Sequence, residues 1–288
     1  MRNIIESERI MIKIFTDTST MYTPQEGAEK GFKVFPLSVS INNQTYQEFV
    51  DIDTPTFYEQ VLKGSIPSSS QPPIGMLMEA YDECQNDEII HICMADGLSG
   101  TYQSALSAKD SAASKENIHV INSKTLCAPQ RFMVDKVMEL VAEGKNTNEI
   151  LLEIQRMADS AFSFLIPQDF SFLKRGGRLT PLAATIGGVL KLKPVMMQTE
   201  DGCRLEKFAL ARTMGKAVDM ILEDMRRRGI DSSYSIGVSH AYAKEQAEGI
   251  LTKIKTAFPD IRIELFELTP AFITQGGPQC IAIQAIQC

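Results

Sequence analysis

The run Ile89-Ile90-His91-Ile92-Cys93-Met94 is apolar at nearly every position, with charge before it and glycine after. A half-exposed strand alternates in polarity, whereas one without alternation is buried on both faces, as in the interior of a parallel sheet. This run therefore commits the chain to helices on two sides of a sheet. Directly after it, Asp96-Gly97-Leu98-Ser99-Gly100-Thr101-Tyr102-Gln103-Ser104-Ala105 predicts a strand-to-helix turn. Gly97 and Gly100 free the backbone and let a ligand approach the main chain. Ser99 or Thr101 then caps a helix running to about residue 114. Uncapped amides at such a helix start favour an anion. A tight turn with a capping hydroxyl and no ligand is the plainer alternative.

The same strand-then-helix rhythm fills the first half of the chain. Residues 12–16 predict a strand and Asp17-Thr18-Ser19-Thr20 a polar turn that caps or binds. A helix starts at Thr23-Pro24, residues 32–41 form one extended run with Pro36 at an edge or bulge, and Asn42-Asn43 turns it. Helices follow at 55–62 and 74–84. Between them, residues 64–73 hold three prolines and four serines and predict a shaped loop that is neither helix nor strand. A strand at 118–121 and amphipathic helices at 129–143 and 148–160 complete the half. From residue 161 the pattern changes. A strand at 162–166 precedes a hairpin over 194–200 and 203–209 around Asp201-Gly202, and helices at 214–228 and 245–258 alternate with strands at 234–239 and 261–268. Gly276-Gly277-Pro278 is a glycine-rich loop before a last strand at 281–286. The expected fold is α/β: an N-terminal three-layer α/β/α domain with a mainly parallel sheet (11–160) and a C-terminal two-layer α/β domain with a mixed sheet (161–288). Residues 1–10 form an extension.

At 288 residues the chain suits about two domains. Its net charge of −7 argues against a nucleic-acid surface spread over the whole protein. No apolar run approaches the roughly 20 residues that span a bilayer, and Arg2, Glu6, Glu8 and Arg9 interrupt any signal-peptide core, so a cytoplasmic location is expected. The six cysteines show no CxxC spacing, and zinc-protease, Walker A and Rossmann motifs are missing, so neither metal nor cofactor is expected.

His91 and His119 lie in apolar strands and read as core. His240 follows the strand at 234–239, begins a turn and is the one histidine placed to meet a loop serine, the arrangement of a hydrolase. Gly97-Leu98-Ser99-Gly100 has the wrong spacing for a nucleophile elbow. Lys174, Arg175 and Arg178 around two glycines put three cations on a flexible loop, either to grip a phosphate or as a solvated turn. The apolar stripe over residues 179–190, rich in small side chains, is either core or the lining of a tunnel.

Four stretches in this order resemble the DegV family, which includes the fatty-acid-binding subunits of bacterial fatty acid kinase. They are Ser69-Ser70-Gln71-Pro72, the loop from Gly97 to Ala105, Leu173-Lys174-Arg175-Gly176-Gly177-Arg178 and Lys191-Leu192-Lys193-Pro194. The resemblance runs from Met11 across nearly the whole chain. It implies a non-catalytic protein with a long-chain fatty acid buried between two domains. The carboxylate is then held by Ser69 and Ser99, with Gly100, Thr101 and Gln275 completing the head-group site. Gln275 stands where kinase-associated members carry a histidine, and Asp96, beside the loop, is expected to repel an ionised acid. The implied partner is the catalytic subunit of a fatty acid kinase, which phosphorylates the presented carboxylate. Lys174, Arg175, Arg178 and Arg212 are the residues assigned to the acyl phosphate or to that partner. No nucleic acid and no membrane span is implied, only transient membrane contact. The alternatives are the hydrolase using His240 with a loop serine, and a regulatory or interaction protein without ligand.

Overall fold

The computed structural model describes residues 11–186 and 192–288. The expected extension at 1–10 and the stretch 187–191, which holds the end of the apolar stripe and Lys191, lie outside the described residues.

Strand β1 (Ile12–Asp17) ends at a buried aspartate that accepts a hydrogen bond from Ser19 N (2.9 Å) and so caps the 3₁₀ turn Thr18–Thr20. Helix α1 (Pro24–Lys30) starts with Pro24 and a reciprocal Thr23/Glu26 capping box. The run expected to be one strand over 32–41 is instead two. Strand β2 (Lys33–Phe35) lies beside β1, and β3 (Ser38–Ile41) crosses into a separate small sheet with β4 (Gln44–Gln47). Pro36, which has no N–H to give a ladder, stands at the break. Asn42 and Asn43 both take positive φ, 53° and 61°, in the turn between β3 and β4.

After α2 (Thr54–Leu62) comes a second correction: Ser68–Ser70 is strand β5, antiparallel to β3, with Val39 opposite Ser69. The prolines flank this strand without interrupting it, so the serine amides remain free to pair. Next come α3 (Ile74–Glu83), β6 (Glu88–Cys93), α4 (Thr101–Ser111, three residues shorter than expected), β7 (Ile118–Asn122), α5 (Ala128–Ala142) and α6 (Thr147–Ser160). The main sheet is parallel throughout in the order β2-β1-β6-β7. Phe15, Phe35 and Ile89 bury one face against Tyr81 and Ala105 of α3 and α4, while Ile14, Ile90 and Ile92 bury the other against Phe132 and Val134 of α5.

The second half comprises β8 (Phe162–Ile166), α7 (Phe170–Gly176), α8 (Pro181–Ala184), β9 (Lys193–Gln198), β10 (Leu205–Ala211), α9 (Met214–Arg227), β11 (Tyr234–His240), α10 (Lys244–Ala257), β12 (Arg262–Glu267), α11 (Pro270–Gly276) and β13 (Ile281–Gln287). Lys174-Arg175-Gly176, expected in a flexible loop, forms the last turn of α7, and Gly276 closes α11. The sheet is mixed, in the order β10-β9-β8-β13-β11-β12, with only β11 and β12 parallel. Helices α9 and α10 cover one face through Val218, Ile221, Ile250 and Ile254. The other face meets α5 and α6, so these two helices lie between the sheets. One apolar cluster consequently runs from Ile14 to Ile286 across residue 160. No described helix is long and apolar enough to cross a membrane.

Candidate functional site

In the parallel sheet β1 leads to β2 on one side and β6 to β7 on the other, so a crevice opens between the carboxyl ends of β1 and β6. Ligands of open α/β sheets bind at such a switch point. Asp17 closes its floor by accepting from Met94 N (3.1 Å), and the turn 94–100 rises above it. Gly97 has φ +84°, and a Cβ there would stand 2.9 Å from Cβ of Cys203, so the β9–β10 hairpin approaches the turn closely. Gly100 is the N-cap of α4 and supplies no side chain. In its place Ser99 Oγ accepts from Thr101 N (3.3 Å) and shares a hydrogen bond with Thr101 Oγ1 (2.8 Å). Asp96 has one oxygen taken by Gly97 N (3.1 Å) and the other by Gln103 Nε2 (2.9 Å), and it lines neither cavity described next.

A polar pocket of about 50 Å³ lies above this turn, lined by Ser69, Ser70, Gln71, Ser99, Gly100, Arg178 and Gln275, with Leu37, Met94, Leu98, Ala271 and Phe272 as its apolar walls. Next to it is an apolar cavity of about 90 Å³, whose lining includes Leu126, Cys127, Phe164, Leu165, Leu173, Leu205, Leu268, Cys280 and Ala282. The two share Met94, Leu98, Arg178, Phe272 and Gln275. Gln275 Nε2 donates to Ser69 Oγ (3.0 Å) across 206 residues of chain, while its Oε1 is buried without a partner among the described residues. A Cβ on Gly176 would collide with that Oε1, so a side chain there would force the Gln275 amide to move aside. Arg178 is partly buried. It donates from Nε to Leu98 O (3.0 Å) and from Nη1 to Gly176 O, and burial, followed by the charge of Arg204, holds its pKa below the usual guanidinium value.

Four expected head-group residues thus meet in one pocket: Ser69 from β5, Ser99 and Gly100 from the turn before α4, and Gln275 from α11. Thr101 is fully buried behind them and holds Ser99. Of the four cations, only Arg178 lines the pocket. Lys174 and Arg175 are exposed on α7, with Arg175 stacked 4.5 Å from the Phe172 ring and bonded to Ser171 Oγ (2.9 Å). Arg212, which follows β10, lines neither cavity. His240 lines neither cavity, and burial lowers its pKa. Sequence reading missed Phe272 and Gln284. A signal for Gln284 was present, as the one polar residue in Ile281-Ala282-Ile283-Gln284-Ala285-Ile286.

Fold and cavities together define a mixed α/β protein in which a polar pocket adjoins an apolar one between two sheets. The chain belongs to the DegV family: residues 11–287 match the family described as "Uncharacterised protein, DegV family". Protein DegV of Bacillus subtilis is 33% identical over 258 residues, covering 87% of this chain and 90% of that one. The crystal structure of DegV, a fatty acid binding protein from Bacillus subtilis, superposes with a TM-score of 0.84 at 28% identity, over 97% of this chain and all of that one. A fatty-acid-binding DegV family protein from Thermus thermophilus shares the fold, with a TM-score of 0.87 at 23% identity over 97% of this chain and all of that one.

Proposed function

We propose that this protein binds a long-chain fatty acid between an N-terminal domain (11–160) and a C-terminal domain (161–288), as a non-catalytic cytoplasmic carrier. Its carboxylate sits at Ser69, Ser99 and Gln275, and its acyl chain enters the apolar cavity. The observation that carries this reading is the shared wall of Met94, Leu98, Arg178, Phe272 and Gln275, which joins a polar pocket to an apolar one. Relatives described as fatty acid binding proteins support it.

Burying a chain of some fourteen methylenes is worth roughly 11 kcal/mol before ordering costs, at about 0.8 kcal/mol each. A hydrogen bond to the charged head adds about 1.5–3 kcal/mol. The tail therefore sets affinity, and the hydroxyls set register. Small-molecule pockets usually exceed about 300 Å³. A cavity of about 90 Å³ must therefore widen, and an acyl chain enters by displacing lining side chains such as Leu98 and Phe272.

The finer step is presentation of the carboxylate to the catalytic subunit of a fatty acid kinase for acyl-phosphate formation. Arg178 at the pocket and exposed Lys174 and Arg175 supply positive charge for the phosphate or the partner. Native mass spectrometry of the purified protein tests the binding. The expected result is one fatty acid per chain, retained or taken up from solution, and a bare mass after incubation with fatty acids overturns it. Presentation is tested by adding the kinase subunit and ATP and trapping acyl phosphate with hydroxylamine. Binding without trapped product overturns that step alone.

A further inference from the structure

The apolar cavity contains one polar feature that holding a hydrocarbon tail does not explain. Gln284 lies on β13, in the middle of the mixed sheet, with Ser163 of β8 directly opposite in register. It is 2% exposed and lines the cavity. Its Nε2 donates to Leu126 O (3.0 Å) and to Ser163 Oγ (2.9 Å). Leu126 O can only accept, so the amide orientation is fixed and Oε1 is the atom left over. That oxygen is buried without a hydrogen-bond partner among the described residues. Ser163, which also lines the cavity, accepts from Gln284, and among the described residues no acceptor takes its proton.

A stranded buried acceptor costs as much as a lost hydrogen bond, and native proteins leave few of them. Here an open acceptor and an uncommitted donor sit on neighbouring strands in a wall whose only other polar side chains, Arg178 and Gln275, are the ones shared with the polar pocket. A hydroxyl group, which donates once and accepts as well, satisfies both. A methylene satisfies neither.

Resting on the fatty-acid reading, we propose that the preferred ligand is a hydroxylated acyl chain, whose hydroxyl lies along the hydrocarbon part, donates to Gln284 Oε1 and accepts from Ser163. The head group and the chain hydroxyl then fix register at two points, and unsubstituted chains bind with the Gln284 oxygen unmet.

The test is calorimetric titration of the delipidated full-length protein with octadecanoic acid and with a series of hydroxyoctadecanoic acids differing in hydroxyl position. One position is expected to bind roughly ten-fold tighter than octadecanoic acid, as one added hydrogen bond to a buried acceptor predicts. In Gln284→Met, which keeps the volume and removes the acceptor, that preference should vanish, so that octadecanoic acid and the best hydroxy acid bind alike. Ser163→Ala should reduce the preference without abolishing it. If the wild-type protein binds octadecanoic acid as tightly as every hydroxy acid, the inference is overturned, and a resident water is then the partner of Gln284. Binding of none of the acids overturns the fatty-acid reading and this inference together. The wild-type series decides even if a variant fails to fold.

Discussion

Two buried polar networks meet at helix α11, and they are built on opposite terms. Around its N-terminal end, fully buried Glu48 accepts hydrogen bonds from Thr18 Oγ1 and from Ala271 N (2.9 Å), and Thr18 Oγ1 accepts from Leu37 N (2.9 Å). Asp17 takes Ser19 N and Met94 N, while Gln130 donates to Thr16 Oγ1 (3.2 Å) and Ile92 O (3.3 Å). In this network both side-chain oxygens of Glu48 and of Asp17 are occupied. At the other end of α11, and across the cavity on β13, Gln275 and Gln284 each keep an oxygen without a partner among the described residues. A satisfied network rigidifies, whereas an unsatisfied group needs a further partner, such as a ligand or a water. The first is therefore a frame that holds α11 against the N-terminal half, and on the proposed function the second is the receptor that this frame positions.

The frame is broken most directly by Glu48→Ala. It strands the Thr18 hydroxyl and the Ala271 amide and leaves a void, so a stability loss of about 4 kcal/mol is expected in urea unfolding at pH 7. Ligand affinity should fall with it as α11 loosens. A variant within about 0.5 kcal/mol of wild type would show that the frame does not depend on this carboxylate.

Proton linkage gives the next largest effect. Burial raises the Glu48 pKa from 4.5 to about 7, against the opposing hydrogen bonds of Thr18 and Ala271 and with a smaller upward push from Asp17. The folded state thus holds a proton that the unfolded state has released. Stability must fall as pH rises from about 4.5 to about 7 and level off above, by on the order of 3 kcal/mol in total. Asp17, raised chiefly by burial, acts in the same direction. Glu48→Gln should remove most of this slope, and parallel wild-type and variant profiles between pH 4.5 and 8 would refute the assignment.

The frame and the receptor were unequally legible in the sequence. Ile89 to Met94 announced the parallel sheet because a run without alternation has no other economical place, and Asp201-Gly202 announced the β9–β10 hairpin through local turn chemistry. Ser68–Ser70 did not read as a strand, since its pairing depends on β3, some thirty residues earlier, and serine and proline carry no strand signal of their own. Helix α11 is only seven residues long between Pro270 and the Gly276-Gly277 pair, so its apolar period never repeats. Ser69, Ser99 and Gln275 were suggested by family resemblance, and no spacing rule brings positions 69 and 275 together. The apolar cavity draws its walls from β8, β13, α7, α11 and the turns after β6 and β7, which places it beyond any local pattern.

The receptor's apolar half is sharpened by Ala282→Phe. Ala282 lines the cavity but not the polar pocket, and the larger ring occupies the space of about three or four methylenes. At about 0.8 kcal/mol per methylene, fatty-acid affinity should fall roughly 100-fold while the fold persists. Short-chain acids, which leave that space empty, should lose far less, and an equal loss for short and long chains would mean that the tail runs elsewhere.

The polar half should respond least. Ser99 Oγ already spends one interaction on the Thr101 amide and shares another with the Thr101 hydroxyl, so it reaches a ligand with only part of its capacity. Removing it in Ser99→Ala takes away one hydrogen bond to the head group while Ser69 and Gln275 remain paired (3.0 Å). A loss of about 1 kcal/mol, roughly five-fold in affinity, is expected, with long-chain acids still bound. The head group should also shift toward Ser69, because the tail fixes the depth of the chain and only the lateral restraint has gone. Calorimetry and a crystal structure of the loaded variant check both parts. Unchanged affinity with an unmoved carboxylate would take Ser99 out of the site, and a loss as large as that of Ala282→Phe would invert the division of labour, making the head group the source of affinity.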